Sequence, residues 1–262
     1  MIKTFPPSTH RRPRRVSLFF LVFLLFAVLW AARAGAATEA EQQKESVLSH
    51  ARALMDQDER NRSNMSMAVS ILKKSAKKFS DDVRFPLYLA EAYYRMVDPL
   101  EKIETAYPFF EKTGSYAQKA INIDPNRLEA HYWYGLFLLR KAQHVSIFQA
   151  YFVTKQGIAE LEKVRQSLPA YDHGGASRVL SLLHLKAPGW SPFGDLDKAV
   201  RFAEQATQLD PEYLLNRLYL AEAYQRRGDK EAAIRECREI LNSSSTNNPF
   251  KETARSLLLA LE

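Results

Sequence analysis

The sequence predicts an all-α protein made of stacked helical hairpins, and three observations predict it. The heptapeptide LYLAEAY stands at residues 87–93 and again at 218–224, apolar on one helical face each time. Two further segments, INIDPNRLEAHYWYG and TQLDPEYLLNRLYLA, share one plan: a helix end, an Asp-Pro break and the start of another helix. Alternating apolar and polar runs are missing, and nine glycines in 262 residues leave little for the turns of a β architecture.

The first element in chain order is a leader and not part of the fold. Met1–Arg15 carries Lys3, Arg11, Arg12, Arg14 and Arg15 without an acid, and residues 16–32 then run without any charge. Ala34, Gly35 and Ala36 follow as small residues at a cleavage-site spacing. Residues 1–36 are therefore expected to be a signal peptide or an N-terminal membrane anchor. The apolar run sits at the lower edge of what crosses ~30 Å of hydrocarbon. The small residues right after it favour cleavage near Ala37. No cysteine lies there, so lipid attachment at that site is excluded. The expected location is exported and periplasmic, with residues 16–32 holding the chain at the inner membrane if the leader is kept.

The leader also accounts for the charge. The chain carries a formal +7, but residues 1–36 hold six Lys/Arg, and the rest balances 31 basic against 30 acidic residues. The high pI belongs to the leader, and a nucleic-acid partner is not expected. Lys73, Lys74, Lys77 and Lys78 form the one tight basic cluster, read as a solvated helix end. With Cys237 as the single cysteine, no intramolecular disulfide can form. Residues 37–262 must be stabilised by their own core, and they are long enough for one domain.

Those residues fall into hairpins with a period of 34. In the second LYLAEAY copy, Leu220, Ala221 and Tyr224 take the L, G and Y places of the tetratricopeptide pattern, Gly228 the turn and Ala233 the small position of the next helix. One period earlier lie Gly194 and Ala199, followed by Ala203, Ala206 and the closing Pro211. The first copy repeats this with Leu89, Ala90 and Tyr93, and with Ala68 in the preceding helix. Between them, Pro125 closes one unit and Gly135 stands in the next helix. Small residues on one face let helices approach closely. Asp can cap a coming helix, and Pro cannot continue the last one. Helices are predicted near 40–58, 64–79, 84–97, 107–123, 127–143, 146–168, 175–185, 195–209, 213–227, 230–242 and 249–261, as a tetratricopeptide-like solenoid over 37–262 with irregular insertions in its middle.

The insertions carry a resemblance. EAHYWYG, LPAYDHGGASRVLSLLHLKAPGW and GDLDKAVRFAEQATQLDP, in that order, resemble the TRAP transporter T-component family over roughly residues 85–240. The resemblance implies a helical periplasmic protein whose partner is a solute-binding protein of a tripartite transporter. It also implies a lipoprotein, and this leader has no cysteine to acylate. The eukaryotic regulators of microtubule dynamics share a related arrangement, against which the leader argues.

Candidate binding residues gather where the register breaks. Tyr134, Phe137, Phe148, Tyr151, Phe152, Trp190 and Phe193 either pack helices together or line an apolar cleft for a small hydrophobic ligand or a partner side chain. Asp172, His173, Gly174 and Gly175 either orient a ligand carboxylate at a helix start or form a capped turn. His131 reads as a packed core histidine, and Cys237 as a small core residue. No spacing of His, Cys and carboxylates matches a metal site, and no nucleophile motif or phosphate loop appears. The expectation is a non-enzymatic binding protein without cofactor or metal. The alternatives left open are a membrane-anchored assembly scaffold and a stand-alone small-molecule carrier, with self-association also open.

Overall fold

The computed structural model describes residues 18–57, 62–97, 103–243 and 250–262, with side chains from Gly35 onward, Ala36 excepted. The expected leader therefore lies outside the described residues over 1–17, and over most of the rest only its backbone is described. The chain divides into two compact units, Met1–Val47 and Leu48–Glu262. α1 (Leu18–Gln57), which begins in the first and ends in the second, is helical from Leu18, where the sequence predicts a helix only from residue 40; Lys44 pairs with Glu41 at 3.0 Å.

The second unit continues with α2 (Arg62–Lys78), α3 (Arg84–Arg95), α4 (Ile103–Ile123), α5 (Leu128–Lys141) and α6 (Ile147–Ser167). Then come α7 (Tyr171–Lys186), α8 (Leu196–Leu209), α9 (Leu214–Arg227), α10 (Lys230–Asn242) and α11 (Phe250–Leu261). Among the described residues there is no strand. From α2 onward each helix packs on the next, and α3, α5, α7, α9 and α11 also touch in that order. That second set of contacts makes a solenoid: the first helices of successive hairpins form one layer and the second helices another.

The small-residue register is what lets the layers close. Ala68, Ala90, Ala199, Ala203, Ala206, Ala221 and Ala233 are at most 1 % exposed, and Leu89 and Leu220 are buried beside them. Two corrections concern turns. Asp124 and Asp210 do not cap α5 and α9, whose N-caps are Arg127 and Tyr213 without a side-chain bond. Each Asp instead accepts backbone N–H groups inside its Asp-Pro turn: Asn126 N at 3.0 Å on Asp124, and Glu212 N and Tyr213 N at 3.2 Å on Asp210. Gly228 closes α9 in the left-handed region, φ 99°. Gly194, one period earlier, has another reason to be glycine: a Cβ there would fall 2.7 Å from the Pro188 carbonyl.

The middle departs from the pattern through close helix approach. Gly135 of α5 faces Gly157 of α6; a Cβ on Gly135 would lie 2.8 Å from Leu161 Cγ and 3.3 Å from the Gly157 carbonyl. Leu161 and Val164 then join Tyr132, Trp133 and Leu136 in the central core. Ser146 opens α6 with a capping box to Gln149, which fixes where the first turn of that helix begins.

Candidate functional site

The Asp172–Gly175 segment is a structural lock and not an open site. Asp172, His173 and Gly174 all sit in the left-handed region, at φ 50°, 58° and 75°, so regular helix begins only after them, as the predicted start at 175 requires. Two non-glycine residues in that region carry strain, and the surroundings hold them there. Arg178, one turn on and 6 % exposed, donates to the Asp172 carbonyl at 2.9 Å, the His173 carbonyl at 3.3 Å and the Asp172 carboxylate at 2.5 Å. The Tyr132 hydroxyl of α5 donates to the same carboxylate oxygen at 2.5 Å. Asn216 of α9 donates to the His173 carbonyl at 2.8 Å and the Ala206 carbonyl at 2.9 Å. The glycines leave room for this: a Cβ on Gly174 would lie 3.1 Å from Ala206 Cα, and one on Gly175 would fall against the Tyr132 hydroxyl. The expected helix cap at Asp172 is thus replaced by a charged clamp joining α5, α7, α8 and α9.

Its electrostatics follow from that geometry. Burial pushes the Tyr132 phenol well above its usual range, with the Asp172 charge adding to it, so Tyr132 stays a hydrogen-bond donor. Burial works against the Arg178 charge, and the Tyr132 and Asp172 oxygens outweigh it. His173, the exposed member, stacks on Tyr213 with centroids 4.2 Å apart and meets Asp210 at 2.6 Å. That hydrogen bond holds the Asp210 carboxyl below the usual carboxylate range.

The predicted aromatics do not enclose a cleft. Tyr134 and Phe137 pair on α5 at 6.0 Å, and Phe137 turns toward α4, where a Cβ on Gly114 would strike its ring. Tyr151, Phe152 and Phe193 come together elsewhere, with centroids 5.3 and 5.6 Å from Tyr151. This second group lies in the open: Phe148 is 81 % exposed, Trp190 77 %, Phe152 68 % and Ile147 66 %. One open groove, lined by Pro125, Asn126, Leu128, His131 and Lys163, contains none of these aromatics. His131 in that groove is a packed histidine, with Glu160 at 2.5 Å on one ring nitrogen and the Pro125 carbonyl at 2.9 Å on the other. Cys237 is fully buried, and burial pushes its thiol up to about 11. Among the described residues, no group of three or more His, Cys, Asp and Glu could hold a metal ion.

What sequence reasoning missed is a row of tyrosines on the layer of first helices. Tyr94 of α3 packs on Trp133 of α5 at 5.4 Å, and the Trp133 indole N–H donates to the Tyr171 hydroxyl of α7 at 3.1 Å. Tyr88 lies under Arg52, whose guanidinium is 4.4 Å from the ring centre. Arg52 and Arg95 each hold Glu91 at 2.7 Å. Tyr219 of α9, its phenol pushed up by burial, feels the charges of Glu222, Arg178 and Arg140 and the phenol of Tyr94.

Fold and site together define a tetratricopeptide-like helical solenoid with half-buried tyrosines on its first helices, and comparison with known proteins agrees on the fold. The tetratricopeptide repeat family profile matches residues 193–249. The profile of the regulator of microtubule dynamics protein 1-3 family matches residues 47–150, so that match falls to the family the sequence analysis placed second. No curated protein sequence matches the chain. A thermophilic tetratricopeptide repeat protein of Thermus thermophilus superposes with a TM-score of 0.62 at 16 % identity, covering 82 % of this chain and 98 % of that one. YrrB, described as a tetratricopeptide repeat protein with an unusual peptide-binding site, gives 0.47 at 14 % identity, over 86 % of this chain and 95 % of its own. MamA gives 0.46 at 18 %, over 74 % and 92 %.

Proposed function

We propose that this chain is an exported, non-enzymatic scaffold, delivered by residues 1–36, that takes an extended stretch of a protein partner along the inner face of its first helices. The observation that carries this reading is the row Tyr88, Tyr94, Tyr171 and Tyr219, half-buried and set among Arg52, Arg95 and Arg140. Tyrosine and arginine are the residues that anchor protein interfaces, because they present large, stiff contact areas with hydrogen-bonding ends. Stacked hairpins supply a long concave surface for such a segment. A stand-alone carrier of a small hydrophobic ligand loses its support, since the aromatics do not enclose a cleft.

The T-component resemblance gives the partner a class to test first, an exported solute-binding protein. The test is capture by the tagged full chain, beside Tyr88→Ala and Tyr219→Ala variants with unchanged helical circular dichroism. Each substitution is expected to weaken capture by about 2 kcal/mol or more, as truncation of an interface anchor does. A partner that both folded variants retain in full refutes the inner-face reading. Recovery of a solute-binding protein supports the transporter assignment, and recovery of membrane-assembly proteins supports an anchored scaffold.

A further inference from the structure

The exposed aromatic group at the start of α6 is independent of the inner face and carries its own inference. Among the described side chains, Ile147, Phe148, Tyr151, Phe152 and Trp190 make up most of the exposed large hydrophobics. They converge from two places. The capping box at Ser146 sets Ile147, Phe148, Tyr151 and Phe152 on the first two turns of α6, and Trp190 and Phe193 lie in the turn between α7 and α8. Tyr151 joins the two at 5.6 Å from Phe193. His184 fastens that turn, with its Nδ1 2.7 Å from the Phe193 carbonyl, while Asp195 N donates to the His184 carbonyl at 3.2 Å. The group is thus held outward by ordered structure.

The stretches that build it carry no acid: residues 130–159 and 173–194 contain no Asp or Glu and hold Arg140, Lys141, Lys155, Arg178 and Lys186, of which Arg178 is bound to Asp172 and Lys186 to Glu222. The nearest acids in the chain past the Trp190 turn are already engaged: Asp195 meets Lys198 at 3.3 Å and Asp197 meets Arg227 at 3.6 Å. Interfacial helices sink their apolar side about 5–10 Å below the headgroups. Phe148, Phe152 and Lys155 follow one another on a single face of α6, so a cation borders the apolar group. Trp and Tyr, amphipathic rings with a polar atom, are the side chains that settle at a membrane–water boundary.

We propose that this edge of the solenoid docks on the surface of an anionic phospholipid bilayer, with Phe148, Phe152 and Trp190 entering the interface and Lys155 meeting the headgroups. The test uses the full chain carrying Trp30→Phe, reconstituted in vesicles of phosphatidylcholine alone or mixed with phosphatidylglycerol, with bromine on the lipid acyl chains. Trp133 is 3 % exposed and gives a constant background. Bromolipid is expected to quench most of the Trp190 emission in the phosphatidylglycerol vesicles and much less in phosphatidylcholine alone. The quenching should vanish in Trp190→Phe and drop several-fold in Phe148→Ser/Phe152→Ser. A tryptophan placed at the exposed Leu259 in a Trp30→Phe/Trp190→Phe background reports on tethering alone and should stay unquenched. Trp190 emission that bromolipid leaves untouched overturns the proposal, and so does equal quenching at residue 259. Concentration-dependent oligomers that Phe148→Ser/Phe152→Ser abolishes, with no quenching, would assign the surface to a second copy and overturn it as well.

Discussion

Replacing Arg178 with methionine tests whether the left-handed turn is held in place from outside. Asp172 and His173 each cost about 1–2 kcal/mol in that region, so the turn stores about 2–4 kcal/mol that its neighbours must offset. Arg178 supplies the main offset, with four donor contacts on Asp172, His173 and Asn216 between 2.5 and 3.3 Å. Methionine fills a similar volume but leaves the Asp172 carboxylate, 23 % exposed, without its cation. Breaking a buried pair from one side costs about 3–5 kcal/mol, a large part of the ~5–15 kcal/mol that a domain has in all. Asp172→Gly should cost less, since glycine suits the backbone and Arg178 keeps its carbonyl partners. In the double variant no stranded charge remains. Its loss should fall short of the sum of the two singles by more than about 1.5 kcal/mol, the sign of direct coupling. Urea unfolding with unchanged slopes measures all three. An Arg178→Met shift under about 1 kcal/mol, or strict additivity, refutes the clamp.

Two further outcomes are expected. Ala203→Leu puts three extra carbons where α8 has 1 % exposure, and should cost about 1–3 kcal/mol by overpacking; an unchanged urea midpoint would contradict the 34-residue register. Burial lowers the pKa of His184, which sits among Phe202, Lys198, Asp195 and Glu162. The fold therefore prefers neutral His184: this stability is full above the unfolded value near 6.5 and is lost as pH falls toward the lower folded value, by up to ~1.4 kcal/mol per unit. His184→Gln should flatten the pH dependence of the urea midpoint between about 7 and 5, and an equally steep slope in the variant would refute this.

The fold was legible because its causes are local and periodic. LYLAEAY recurs since each first helix must present Leu89 or Leu220, and Ala90 or Ala221, to the same neighbours, and all four are buried. Ala199, Ala203 and Ala206 mark one face by spacing alone. Boundaries set by local chemistry also came through, such as the start at Asp195, whose carboxylate takes Lys198 N at 2.9 Å. The start of α4 at Ile103 did not, because Pro108, which removes a backbone donor inside the helix, reads in the sequence as a helix start. The Gly135–Gly157 approach was half visible. Gly135 stands at a repeat position, whereas Gly157 is small only because of what crosses it.

The candidate sites depend on matters that spacing does not encode. Tyr132 and Trp133 of α5 are buried while Phe148 and Phe152 of α6 are exposed, although all four sit in helical patterns rich in aromatics. The difference is set by which neighbour covers each face, and α6 runs past its neighbours at its first two turns. One signal for that was present: an apolar helix start after a Ser-x-x-Gln capping box, in a thirty-residue stretch free of acid, looks unlike a core helix of a chain whose other helices mix charges. The inner tyrosine row left less trace. Tyr88 and Tyr219 hold the same place in the two LYLAEAY copies, whereas Tyr94 and Tyr171 follow no repeat position, so the four do not stand out as one set. The Asp172–Gly175 turn was visible as a candidate for the opposite reason. Its two glycines and its acid are what a ligand site would need, and they are equally what a strained turn needs when an arginine of the same chain, Arg178, fills the place a ligand would take.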